Sequence, residues 1–247
     1  MLNYQLTNMP EIYLVGGAVR DSLLGKKSKD LDYTYVADDL SSINAAYAEM
    51  KSYMLSKGFT IFLETPDCYT IRAKFPDSKE TGDFVLARKE LNYPDDSRKP
   101  ILLPGSLQDD LTRRDFTINA IAQDSEGNLI DLFNGQNDLE DRLIKTPIDP
   151  IKTLLDDSLR VLRALRFSVT LNFTIDKELM NCIWEHREYI ACKTYKTVSS
   201  DRIRQELSKA FKADTYKTLE TLRLFPDCVL IEWFGDNNLW LKPTFEK

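Results

Sequence analysis

Asp30 and Asp32 stand two apart in Asp30-Leu31-Asp32-Tyr33-Thr34-Tyr35-Val36, an alternating stretch rich in Tyr and Val that predicts a β-strand. Side chains two apart on a strand project from one face. Two carboxylates held in this way suit Mg²⁺, a hard cation that shares its coordination sphere between carboxylates, triphosphate oxygens and water. With two ions, one activates an attacking hydroxyl and the other stabilises a departing pyrophosphate. A third carboxylate is then expected on an adjacent strand, and Asp83 in Gly82-Asp83-Phe84-Val85 is the candidate. Standing alone, an Asp-x-Asp pair is commonly two solvated acids on an edge strand.

Its surroundings change that reading. Gly16-Gly17 lies thirteen residues before Asp30, between a short apolar run and a helical pattern. Glycine there lets the backbone come close to a phosphate, and the N–H groups at a helix start bind anions. Arg20 and Asp21 follow on the first helical turn. The chain has one His, His186, which the pattern places on a solvated helix face; this argues against His-rich metal sites, and against Ser-His-Asp catalysis unless His186 alone carries it. The four Cys include no Cys-x-x-Cys pair, which argues against a zinc knuckle or a disulfide framework and fits a reduced, cytoplasmic chain.

The segment Gly16-Gly17-Ala18-Val19-Arg20-Asp21, with Leu24-Gly25 and Asp30-Leu31-Asp32, closely resembles the first motif of the tRNA nucleotidyltransferase and bacterial-type poly(A) polymerase family. That family belongs to the polymerase-β-like nucleotidyltransferases. The resemblance continues through Arg113-Arg114-Asp115-Phe116-Thr117-Ile118-Asn119-Ala120, similar to the family's ribose-recognition segment. Asp131-Leu132-Phe133-Asn134-Gly135 occupies the place of its hinge motif, and Asp156-Asp157-Ser158-Leu159-Arg160 that of its Glu-Asp-x-x-Arg nucleotide-selecting motif, with Asp156 one methylene shorter than the usual Glu. Val198 to Leu207 resembles the last motif, which supports the neck with mostly structural charges. In all, the resemblance covers about residues 11–207.

What the resemblance implies is an α+β fold: a nucleotidyltransferase head, a small mixed sheet flanked by helices, followed by an all-helical neck. The head is expected over residues 1–145 and the neck over 146–213. Residues 214–247 are expected as a short remnant of the body, as in a C-terminally short class II member. The implied reaction is attack of an RNA 3′-hydroxyl on the α-phosphate of CTP or ATP, building or repairing CCA at the tRNA 3′ end. Poly(A) addition is the close alternative, and an inactive RNA-binding homologue the distant one. Asp30 and Asp32 would bind two Mg²⁺ ions, Asp83 would orient or deprotonate the hydroxyl, and Gly16, Gly17 and Arg20 would hold the triphosphate. Arg114, Asp115 and Asn119 would meet the ribose, with Asn119 one turn along the same helix. Arg113 would serve a phosphate or an ion pair.

Base choice needs no template on this reading. Asp157 and Arg160, three apart on a predicted helix, share a face. A carboxylate accepts from an exocyclic amino group and a guanidinium donates to a ring nitrogen. Cytosine and adenine offer that pair; uracil and guanine present like polar groups, at about 1–3 kcal/mol per unsatisfied group. Arg163 is assigned to the nucleotide and Arg166 to RNA, with pairing of nearby acids as the alternative for both; Arg202 is the further RNA candidate.

These residues need elements to position them. Strands are predicted over Glu11–Val15, Asp30–Val36, Phe59–Leu63, Tyr69–Phe75 and Phe84–Ala87, with helices at Ala18–Leu24 and Ser41–Lys57. Leu91–Asp110, with three Pro, reads as a long loop. Beyond Pro147 and Pro150 helices are predicted over Ile151–Val169, Asp176–Ile190, Ser199–Ala213 and Thr215–Leu224, then an aromatic end in which Trp233, Phe234 and Trp240 serve the core or a dimer face. The formal net charge of −6 hides an asymmetry. Residues 1–141 carry 15 basic and 24 acidic side chains, whereas 142–223 carry 16 and 11, which fits a metal-binding part joined to an RNA-facing part. No secretory signal or membrane-spanning stretch is apparent. The expected chain is a cytoplasmic monomer or homodimer.

Overall fold

The computed structural model describes residues 11–28, 30–91 and 101–235. They form two compact units, one from 11–91 with 101–136 and one from 137–235.

The first unit is a seven-stranded mixed sheet with helices packed on it. Along the chain come β1 (Glu11–Val15), α1 (Gly17–Leu23), β2 (Asp32–Val36), α2 (Ile43–Ser56), β3 (Thr60–Thr65), β4 (Thr70–Lys74) and β5 (Thr81–Leu86). Then follow β6 (Arg88–Glu90), β7 (Leu102–Pro104), α3 (Leu107–Thr112), β8 (Ile121–Gln123) and β9 (Leu129–Asp131). The strand order is β3-β4-β5-β2-β1-β8-β9, with β6 and β7 forming a separate pair. Alternation along the strands sorts side chains to two faces. Tyr35, Ile71, Phe84 and Leu86 point to one face, where α2 buries Ala46, Met50 and Met54, spaced i, i+4, i+8, against them. Each fully buried large side chain of this kind contributes roughly 1.5–3 kcal/mol. Tyr13, Val15 and Ala122 point to the other face, against Leu111 of α3.

Two expectations change here. The Leu91–Asp110 segment is not one loop: its described part supplies β7, paired to β6, and then α3. A capping box starts α3, with the Ser106 hydroxyl accepting from Asp109 N–H and the Asp109 carboxylate accepting from Ser106 N–H. Residues 92–100 lie outside the described residues. Asp30 precedes β2 rather than sitting on it, because the ladder with β1 begins at Val15↔Asp32.

α4 (Gly135–Glu140) carries the chain out of the first unit. Asp131 caps it, its two carboxylate oxygens accepting from Gly135 N–H and Gln136 N–H, each at 2.8 Å. A side chain at Gly135 would stand 2.3 Å from the Thr117 carbonyl oxygen, so only glycine fits.

The second unit is helical apart from one short parallel pair, β10 (Leu143–Ile144) with β11 (Thr174–Ile175). Its helices are α5 (Pro150–Asp156), α6 (Leu159–Leu171), α7 (Lys177–Glu185), α8 (Arg187–Thr197), α9 (Ser200–Ala213), α10 (Thr215–Leu222) and α11 (Asp227–Phe234). The continuous helix expected over Ile151–Val169 is two helices, broken at Asp157-Ser158, where Asp157 takes extended backbone. The helix expected over Asp176–Ile190 likewise breaks at His186, which is exposed at the joint rather than inside a helix. The aromatic end contains α11, which sequence periodicity did not reveal. Its Trp233 is buried on Phe225 with ring centroids 5.3 Å apart, whereas Phe234 is partly exposed. Trp240 lies outside the described residues. No helix among the described residues is long and apolar enough to cross a membrane.

Candidate active site

In the first unit β2 pairs parallel with β5 in the register Asp32↔Asp83, and antiparallel with β1 in the register Asp32↔Val15. Val15, Asp32 and Asp83 therefore lie in one row across the sheet. Both aspartates share the parity of Thr34 and Val85, opposite to the α2 face. Arg72 of β4 sits opposite Asp83, with its guanidinium 3.5 Å from the carboxylate. Burial pushes the Asp32 carboxyl above the usual carboxylate range; Arg114 pulls it back, while Asp83 and Asp30 push it further up. The three acids are thus electrostatically linked, and the protein's own field disfavours the charge on the central one.

β1 ends in Gly16 at φ +70°, ψ −133°, a backbone conformation that glycine alone adopts readily. A Cβ at Gly16 would lie 2.9 Å from Arg114 Nη1, so the turn rests on that guanidinium. Arg114 donates to Asp110 Oδ2 at 2.8 Å, to Thr34 Oγ1 at 3.4 Å and to the Asn119 carbonyl at 3.3 Å. Its Nε is buried without a hydrogen-bond partner among the described residues. Arg113 pairs with Asp110 and with Glu90, which gives it the ion-pair role rather than a phosphate. Asp110 is fully buried; burial alone would raise its carboxyl, yet Arg113 and Arg114 overcome this and hold it well below the usual range.

Asn119 ties the set together. Its side-chain carbonyl accepts from Arg20 Nη1 at 2.6 Å, and its amide donates to Asp115 Oδ1 at 2.9 Å. Arg20 also donates to Asp21, and Asp115 accepts from Phe116 N–H. Arg20, Arg114, Asp115 and Asn119 therefore converge beneath the Gly16-Gly17 turn in one largely buried network. Asn119 reaches it from a 3₁₀ turn over Thr117–Asn119, not from a helix shared with Asp115. Sequence reasoning missed Asp110 and Thr34, the anchors of Arg114. The signals were an acid three and four residues before a pair of arginines, and a Thr at strand parity with Asp32. A cavity of about 1210 Å³ opens in this unit at the opposite end of β1 and β2, lined by Glu11, Val36 and Asp38, and holds none of these residues.

In the second unit Asp157 and Arg160 flank the α5–α6 break, the Arg160 N–H donating to the Asp157 carbonyl at 3.0 Å, rather than sharing a helical face. Asp157 Oδ1 accepts from Leu159 N–H at 3.1 Å and so starts α6; its Oδ2 accepts from Arg202 Nη2 of α9 at 3.1 Å. Arg160 donates back to the Thr153 carbonyl at 3.0 Å. Ser158 is buried and accepts from the Thr194 hydroxyl at 3.0 Å. Arg166 and Arg202, the RNA candidates, each stand in an ion pair. Arg166 is largely buried, ion-paired to the buried Glu206 and stacked 3.8 Å over the Phe167 ring, so it holds α6 to α9. Arg202 holds Asp157. Arg163 lies 3.9 Å from Glu206 and is partly exposed.

A mixed sheet that sets two carboxylates side by side next to a glycine turn, with a buried arginine network beneath, defines a nucleotidyltransferase-type head. Residues 12–145 match the Poly A polymerase head domain, and the chain belongs to that family, among tRNA nucleotidyltransferase relatives. It is 34% identical over 201 residues to the CCA-adding enzyme of Lactobacillus helveticus, covering 81% of this chain and 45% of that protein. It is 30% identical over 239 residues to the A-adding tRNA nucleotidyltransferase of Aquifex aeolicus, covering 95% of this chain and 27% of that protein. The fold is similar to the crystal structure of the Bacillus stearothermophilus CCA-adding enzyme in complex with CTP, with a TM-score of 0.72 at 25% identity over 92% of this chain and 50% of that one. The chain thus spans about half, or less, of the length of these relatives.

Proposed function

We propose that the chain transfers CMP, AMP or both from CTP and ATP to the 3′ end of tRNA without a template. The observation that carries this is the register Asp32↔Asp83 beside the Gly16 turn, in a chain whose relatives are named for CCA and A addition. Residues 1–145 serve as the catalytic head, 146–213 as the nucleotide-selecting neck, and 214–247 as the start of a body, in a cytoplasmic chain that is monomeric or dimeric.

Mg²⁺ fits the donor set. The oxygens are hard, and the raised Asp32 carboxyl marks a place where a cation relieves repulsion from Asp83 and Asp30. Among the described residues no three acidic, Cys or His side chains form a cage. Mg²⁺ relies on one or two carboxylates and completes its shell with water and triphosphate. Asp30 and Asp32 would hold two ions, which supply charge neutralisation at the phosphates when bound. The chain's own residues do the rest. Asp83 orients the RNA 3′-hydroxyl and accepts its proton as the 3′-oxygen bonds to the α-phosphorus and the bond to pyrophosphate breaks. Gly16 and Gly17 let the triphosphate approach the backbone while Arg20 stiffens the turn through Asn119. Arg114, with Asp115 and Asn119, shapes the ribose subsite. Asp157 and Arg160 present an acceptor and a donor to the base edge, and Arg163 lies one turn further along α6 on the nucleotide side.

The test offers purified protein and Mg²⁺ a tRNA ending before CCA, at CC, or at CCA, with each nucleoside triphosphate singly. Addition of C, C and A in order supports the full reading, and addition of A to the CC end alone narrows it to A addition. The family's head-domain name favours one second reading, poly(A) synthesis, which long A tracts on unrelated RNA would establish in place of the first. No incorporation on any end overturns both, leaving an inactive RNA-binding homologue.

A further inference from the structure

Helix α7 has two grooves beside it, of opposite chemical character. One is lined by Asp149, Glu178 and Glu185. The other, a cavity of about 580 Å³, has no acidic side chain in its lining, and Lys177 and Lys217 stand at it. Lys177, Met180, Asn181 and Trp184 recur at i, i+3, i+4 and i+7, so one stripe of α7 faces this second groove. The core-facing stripe of the helix is Leu179, Cys182 and Ile183. Met180 and Trp184 are therefore apolar side chains on a stripe that packing does not need.

Trp184 is 45% exposed although its indole N–H is fixed, donating to the Leu224 carbonyl at 3.0 Å. The hydrogen bond holds the ring edge and leaves a ring surface open to the groove. Across from it Asn172 ends α6 in the left-handed conformation and accepts a hydrogen bond from Lys217, which keeps that lysine at the groove. An oriented aromatic surface, amide side chains and two cations without a carboxylate are the chemistry that takes a nucleotide: a base stacks, its edge meets amides, and its phosphate meets ammonium groups. The volume lies within the range of about 300–1,000 Å³ typical of ligand pockets.

We infer that this groove binds one nucleotide of the RNA substrate, stacked on Trp184 with its phosphate at Lys177 and Lys217. The inference rests on the reading that the chain acts on RNA. The groove is at the C-terminal end of α6, whose 13 residues extend about 20 Å from the base-reading turn at its start. It is therefore separate from the incoming nucleotide and holds a nucleotide away from the reacting 3′ end.

The experiment measures binding of fluorescein-labelled tRNA lacking CCA by anisotropy, across a salt series, alongside KM for CTP and for the tRNA. Trp184→Ala should weaken tRNA binding about tenfold, within the range of losing one base–aromatic stack, and leave KM for CTP unchanged. Trp184→Phe should restore most of the affinity, although it also lacks the N–H bond to Leu224. Lys177→Gln should lower the slope of log K against log salt by about 0.7–0.9, the value for one phosphate contact. Equal weakening by Ala and Phe, wild-type affinity in Trp184→Ala, or an unchanged salt slope in Lys177→Gln would each overturn the site. So would failure of the wild-type protein to bind the tRNA. If tRNA binding depends on the Trp184 ring but no nucleotide is added, the groove stands and the catalytic reading fails.

Discussion

In the first unit the sheet itself places the site: Asp32 and Asp83 are neighbours because β2 and β5 pair in one register, whatever their side chains do. In the second unit Asp157 and Arg160 owe their places to side chains. Asp157 is held by the Leu159 N–H and by Arg202, and Arg160 by the Thr153 carbonyl, at a break between two helices. A strand register shifts only by whole residues, and a slip would turn every core side chain outward. A capped break can adjust by small rotations. If Asp157 and Arg160 read the base, as proposed, the carboxylates must stay fixed while that pair accommodates two different bases.

The largest effect should come from Asp32→Asn, which removes charge from the register-held row and almost no volume. Incorporation of labelled CMP should fall roughly 10²–10⁴-fold, the scale for removing a group that acts at the reacting centre. Thermal stability without Mg²⁺ should not fall, because the substitution deletes a buried charge disfavoured by Asp83 and Asp30. Near-normal incorporation would break the two-carboxylate assignment.

Asp110→Ala tests the floor beneath that row. It leaves Arg113 and Arg114 largely buried without their main partner, and should cost about 3–5 kcal/mol, read by denaturant unfolding. The pH dependence has a definite sign. Because the folded Asp110 carboxyl lies well below its ordinary value of 3.8, its contribution is fully present above about pH 4. It is lost as pH falls from there toward the depressed folded value. The stability gap between wild type and Asp110→Asn should therefore be constant from pH 5 to 8 and narrow only below about pH 4.

Why some of this was legible in the sequence, and some not, follows from range. Asp30-x-Asp32, Gly16-Gly17 and the strand around Asp83 are local patterns, and alternation places Asp32 and Asp83 without any knowledge of partners, although Asp30 falls just before its strand. The Asp32↔Asp83 pairing needed one further step, which strands are adjacent, and the expectation of a third carboxylate beside the first two supplied it. The break at Asp157-Ser158 was misread because Leu154, Val161 and Leu162 keep a helical apolar rhythm across it, while the deciding contacts come from Arg202 and Thr194, 45 and 36 residues away. Arg166 shows the same limit. Its spacing from Arg160 puts it on a plausible RNA face, and only the fold reveals Glu206 waiting for it. The Ser106-x-x-Asp109 capping box was a local signal, hidden by the prolines before it.

Arg160→Ala tests the pair held by side chains. Discrimination of CTP and ATP against UTP and GTP should relax about 5–150-fold, corresponding to the roughly 1–3 kcal/mol of a mismatched buried polar group. Parallel rate measurements with all four triphosphates check it. An equal fall for all four would make Arg160 a strut for α5 through Thr153 rather than a reader of bases.

The smallest effect, and the sharpest test of the comparison, pairs Arg202→Ala with Arg72→Ala. Each removes a partly exposed cation from one site carboxylate, Asp157 at 3.1 Å and Asp83 at 3.5 Å. Exposed pairs are screened by solvent, so neither should change stability by more than about 1 kcal/mol. If the register holds Asp83, turnover in Arg72→Ala should change little. If side chains hold Asp157, Arg202→Ala should shift the CTP-to-ATP preference several-fold, because only the Leu159 N–H then fixes the carboxylate. Arg202→Lys, which can offer one donor to the same oxygen, should recover most of that preference. The opposite pattern, a sensitive Asp83 and an indifferent Asp157, would mean that the α5–α6 break is held by the buried Ser158–Thr194 contact and that the carboxylate row depends on side chains as well as on register.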